Sequence, residues 1–186
     1  GGLNLPHGDA TILPRWLFMV CGGLLFAGLW MLYLAARRTF DDAARGHLAR
    51  LGGTLAAVMA VVEISLARWV MEVQPGRVRV AVDENSVYNT AETVWLGVMA
   101  LILILGCWSA VKRRVNGAMA WTGAGLALAA SASMAIVRDG IRDQTLLARG
   151  YDVWQRAEAS NWGVIALFLV VFVAGLGATG WLISVV

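Results

Sequence analysis

The chemistry in this sequence begins with Glu63, a carboxyl set near the middle of a long apolar stretch. Insertion scales put the cost of a charge at the centre of a membrane span at about 2.5–3.5 kcal/mol, so such a residue is expected to face a partner or a cavity. Two roles fit. As a structural group, Glu63 would be protonated or hydrogen-bonded from a neighbouring span, with Ser131 and Ser133 as the donors in reach. As a functional group, it would relay protons or contact a quinone. Arg68 follows five residues later, which on a helix is about 140° of rotation, so the two do not form a same-helix pair. The long Arg68 side chain can instead reach outward past Trp69.

A second constellation is Arg138-Asp139-Gly140-Ile141-Arg142-Asp143. Arg138, Arg142 and Arg149 share one helical face, and Asp139 can pair with Arg142 three residues on. The plain reading is a solvated face that compensates its own charge. The alternative is a guanidinium platform for carboxylates or phosphates: haem propionates, lipid headgroups or an acidic partner.

The histidines mainly exclude. His7 and His47 fall on opposite sides of the first span, about a bilayer apart, and so cannot together ligate one haem. A His–Met pair drawn from His7 and Met19, Met71 or Met134 is the haem option left. There is no C-x-x-C-H, which rules out covalent haem attachment on this chain. Cys21 and Cys107 fall at opposite depths, which argues against a disulfide. No Cys, His and carboxylate cluster has metal-site spacing, and no Walker motif, dinucleotide fingerprint or nucleophile–base pair is present.

The elements that must position these groups are membrane helices. Of the 186 residues, 59% are hydrophobic, and the mean hydropathy is +0.69. A soluble domain uses about 45–50% apolar residues and could not hide this many. Runs of about 20 apolar residues match a hydrocarbon core of ~30 Å. The spacing predicts spans over about 14–36, 51–71, 93–111, 117–137 and 162–186. The expected fold is therefore an all-α polytopic integral membrane bundle of five transmembrane helices, a single transmembrane domain over 1–186, with short extramembrane helical and strand segments. Pro14 suits the first helix start. Thr39 and Asp42 have the form of a capping box that opens an amphipathic surface helix leading into the second span. Arg77 to Val82 alternates with period two and predicts a short strand, with a turn at Asp83-Glu84-Asn85. The fourth span continues as a helical extension ending near Gly150.

The fourth span is rich in small residues, from Gly117 and Ala118 to Ser133 and Ala135. That composition predicts a central helix packed on several sides, or else room for a flat cofactor or lipid. Gly175, Gly177 and Gly180 suggest a second close contact, with another subunit as one candidate. Trp16, Trp69, Trp95 and Trp162 are assigned to one aromatic belt, and Trp108, Trp121 and Trp181 to the other.

Seven basic residues fall on each side of the membrane, so orientation rests on the short turn Lys112-Arg113-Arg114. That turn places the N-terminus outside and the C-terminus in the cytoplasm. The start, Gly1 to His7, does not read as a signal peptide. The net charge of +3 carries no basic surface with interleaved aromatics, so nucleic acid is not an expected partner.

The function that best fits is a non-catalytic anchoring or bridging subunit of a larger bacterial inner-membrane complex, respiratory or otherwise engaged in electron transfer. Its partners would be membrane lipids and other subunits, a cytochrome among the candidates. No cofactor is expected on this chain alone, and a quinone, a lipid or a partner's haem are the contacts expected. From another class comes a small oligomeric transporter or channel with Glu63 in its pathway. Five spans do not divide into the inverted halves common in transporters, though a homodimer could supply a pathway. A lipid enzyme, the third possibility, lacks a catalytic constellation.

Overall fold

The computed structural model describes residues 10–151 and 162–185 of the chain. They form six helices and, among the described residues, no strand: α1 Ile12–Ala35, α2 Asp42–Glu72, α3 Gly76–Glu84, α4 Ser86–Lys112, α5 Gly117–Ala148 and α6 Trp162–Val185. Five of these, all but α3, are long and apolar enough to cross a membrane. The chain divides at Tyr151 into two units, and α6 belongs to the second and is described by itself.

In the first unit, α1, α2, α4 and α5 close a ring of helix-to-helix contacts. The neighbours around it are α1–α2, α2–α4, α4–α5 and α5–α1. Lipid chains are as apolar as leucine, so such a bundle is held by close packing rather than by escape from water. The closest approaches are made by α2. Gly52 lies against Gly28 of α1, where an added Cβ would come 2.7 Å from the Gly28 carbonyl oxygen. Gly53, on the adjoining face, lies against Gly106 of α4, where an added Cβ would stand 2.5 Å from that carbonyl oxygen. The small-residue fourth span, α5, packs on several sides, against α1, α3 and α4. The helix pressed backbone-to-backbone between two neighbours is nonetheless α2. Ala120, Gly123, Ala130 and Ser133 of α5 face the bundle, while Ala118, Gly125, Ala132 and Ala135 are exposed.

The local starts and stops follow from polar side chains. Asp41 caps α2, accepting from the Ala44 amide at 2.7 Å. This moves the expected cap from Thr39 to the stronger capping residue two positions on. Asp42 is freed to pair with Arg45 at 3.1 Å, and the Arg45 Nε donates to the Ala35 carbonyl at the end of α1. The expected surface helix and second span are one continuous helix of 31 residues, about 46 Å long. Asn85 caps α4 and Asn116 caps α5. The end of α5 near Gly150 agrees with expectation. Gly150 has φ +80°, the Tyr151 amide donates to Leu146 and the Gly150 amide donates to Leu147. These are the paired bonds of a Schellman stop.

The predicted strand at 77–82 is a helix. Alternation would place Val78, Val80 and Val82 on one side. Instead Val78 and Val82 are each 1% exposed and Val80 is 51% exposed, the pattern of positions four apart on a helix. Val78 and Val82 pack with Ala91, Val137 and Ile141. A lone strand there would have no partner for its backbone groups, whereas a helix satisfies its own. Trp95 also departs from its assignment. It is 3% exposed, packed in the core with Phe18 at 6.1 Å between ring centroids, whereas Trp16, Trp69, Trp108 and Trp121 are exposed.

Candidate functional site

Glu63 continues a buried stripe on α2 that runs Ala49, Gly52, Ala56, Ala60, Glu63, Leu66 at three- and four-residue steps. The same periodicity that buries alanines therefore carries a carboxyl into the bundle, where it is 3% exposed. Its Oε1 is sealed from solvent and has no hydrogen-bond partner among the described residues. It looks across at Gly22 of α1, where a Cβ would sit 3.7 Å from Oε1, an ordinary contact distance. The glycine thus leaves a methyl-sized gap beside the carboxyl. The expected donors do not reach it. Ser131 donates to the Ala127 carbonyl at 3.0 Å and Ser133 to the Ala129 carbonyl at 2.8 Å. Both hydroxyls bond back along their own helix, a common alternative for serine in apolar surroundings.

Arg68 is exposed near the α3 end of α2 and forms no ion pair among the described residues. It shares an electrostatic neighbourhood with Glu92 of α4 and Asp83 of α3. That grouping was not foreseen, because Glu92 reads as part of a polar loop until Asn85 is seen to start α4.

Arg138, Arg142 and Arg149 are all exposed, as their shared face predicts. The expected Asp139–Arg142 pair is not formed: among the described residues the one ion pair is Arg45–Asp42. Behind the arginines, Val137, Gly140, Ile141 and Asp143 are buried. Gly140 lies under the Tyr88 ring, and an added Cβ would come 2.8 Å from it. This glycine lets the extension of α5 press onto the start of α4.

Among the described residues, no group of three His, Cys, Asp or Glu side chains could hold a metal. His47 is exposed, both cysteines are free, and His7 lies outside the described residues. At the other end of the bundle the first turns of α2 face the α4–α5 turn, and Lys112, Arg113 and Arg114 gather there with Arg45, His47 and Arg50 around two clefts. In the sequence the basic residues among them serve only to orient the chain, and His47 only to exclude a paired-histidine haem. Nothing in their spacing shows that two segments more than sixty positions apart converge. No family model, curated protein or solved structure matches the chain.

Proposed function

We propose that this chain is a non-catalytic anchoring and bridging subunit of a larger bacterial inner-membrane complex, of the respiratory or other electron-transfer kind. The observation that carries the reading is the extension of α5. Arg138 and Arg142 stand one turn apart, exposed and without carboxylate partners among the described residues, on a helix wedged from behind by Val137, Gly140 and Ile141. A guanidinium held on a rigid base loses little freedom on docking, and its planar fork matches carboxylates. An acidic face of a partner subunit, or the propionates of a partner's haem, has the complementary chemistry.

Arg138→Ala combined with Arg142→Ala is expected to release the protein from its partners during gentle detergent extraction. Its unfolding free energy should change by less than about 1 kcal/mol, since exposed charges contribute little. Mass spectrometry of co-migrating proteins and an absorption spectrum read the result, and a double variant that keeps every parental partner would overturn the docking role.

The orientation proposed is N-terminus outside and C-terminus cytoplasmic. In a background without Cys21 and Cys107, Glu84→Cys should react with an impermeant thiol reagent added to intact cells, and Arg38→Cys should not. Both positions are exposed and lie at opposite ends of the bundle. Labelling of Arg38→Cys alone inverts the topology.

A second reading rests on a different observation, the unpartnered Glu63 carboxyl beside Gly22. In it the protein is a small oligomeric transporter or channel that passes protons or cations by way of this group.

A further inference from the structure

We infer that the groove between the start of α2 and the α4–α5 turn binds the phosphodiester headgroup of an anionic glycerophospholipid. Two adjoining cavities of about 730 and 470 Å³ open there, and both are bordered by Gly46, Lys112, Arg113 and Arg114. Arg45 and Arg50 complete the basic rim, one in each cavity. The carboxylate in the groove, Asp42, is already held by Arg45 at 3.1 Å. Arg50, Lys112, Arg113 and Arg114 have no carboxylate partner among the described residues, so their charge is free for a ligand.

Backbone geometry points the same way. Arg113 ends α4 in the left-handed region, with φ 52°, and its amide donates to the Ser109 carbonyl. Glycine would adopt that conformation without steric cost. A long cationic side chain stands there instead, at a turn that faces α2. Gly46 of α2 lies beside that turn: an added Cβ would stand 3.6 Å from the Arg113 carbonyl oxygen, an ordinary contact distance, so the two segments adjoin here.

The surroundings select a lipid over a soluble anion. The Lys112 ammonium lies 5.4 Å from the centroid of the Trp108 ring, and Trp108 is 56% exposed at the end of a membrane-spanning helix. An indole in that place marks the interface between headgroups and acyl chains. Val111, also exposed, adds apolar surface to the same end of α4. A ligand with phosphate at one end and hydrocarbon at the other satisfies both halves. Basic pockets between membrane helices take up acidic headgroups on the same principle.

The test is native mass spectrometry of the full chain in mild detergent, titrated separately with phosphatidylglycerol, phosphatidylcholine and inorganic phosphate. Phosphatidylglycerol should be retained, phosphatidylcholine should not, and millimolar inorganic phosphate should fail to displace the lipid. Lys112→Gln with Arg114→Gln should weaken phosphatidylglycerol about 30-fold, from the two charges removed near the surface. Arg113→Gly should weaken it about 5-fold while the thermal midpoint stays level or rises, which separates lost binding from lost folding. Equal retention of both lipids, displacement by inorganic phosphate, or unchanged affinity in these variants would each overturn the assignment.

Discussion

Gly53→Ala is expected to destabilise the bundle by about 3 kcal/mol, the upper end of ordinary overpacking. The new methyl would lie 2.5 Å from the Gly106 carbonyl oxygen and 2.7 Å from the Ala110 nitrogen. Both are backbone atoms, which cannot swing aside as the tip of a flexible side chain would. Relief requires α2 and α4 to separate, and α2 is also clamped on its other side through Gly52 and Gly28. Separation from one neighbour therefore presses on the next. Gly125→Ala on α5 is the control: nothing lies within 4 Å of its added Cβ. There alanine should stabilise the helix by up to about 1 kcal/mol, the difference in helix propensity. Reversible unfolding in mixed micelles measures both variants. Equal effects at the two positions would mean that α2 and α4 are not in backbone contact at Gly53.

The contrast between these two glycines shows what the sequence made legible. Five membrane spans could be read because each is an apolar run as long as the hydrocarbon slab is thick, a property of one segment at a time. The end of α5 at Gly150 was likewise local, needing only a residue that tolerates positive φ. What could not be read was which small residues meet. The long run of alanines, glycines and serines on α5 outnumbers the Gly52-Gly53 pair, yet that pair makes the tightest contacts. Small side chains permit close approach without specifying the neighbour. The segment 77–82 failed for a related reason. Valines at alternate positions suit a strand, but Val78 and Val82 are also one helical turn apart, and burial against Val137 and Ile141 chose the helix. Glu63 was legible as a buried carboxyl because α2's periodicity carries it inward. Its lack of a partner was not, because Ser131 and Ser133 had a nearer acceptor in their own backbone.

That lack of a partner reverses the ordinary expectation for a buried carboxyl. Where a carboxyl is hydrogen-bonded, an apolar substitute strands the donor and destabilises the fold. Here no donor among the described residues contacts Oε1, so none is stranded when it goes. Leucine is similar in volume and would continue the buried stripe of α2 between Ala60 and Leu66. Glu63→Leu is therefore expected to stabilise the isolated protein, by about 1–3 kcal/mol, the usual cost of an unsatisfied buried polar group. Glu63→Gln keeps the shape and a polar amide, and should change stability less. A loss of stability in Glu63→Leu would reveal a partner and return Glu63 to a structural role. The same two variants divide the functional readings, because neither side chain can take up and release a proton. In an anchoring subunit both should assemble and leave the turnover of the complex unchanged. In a proton or cation pathway both should assemble and abolish passage in proteoliposomes. A carboxyl that weakens the fold yet leaves no trace on turnover or transport would belong to packing alone, and the pathway reading would fall with it.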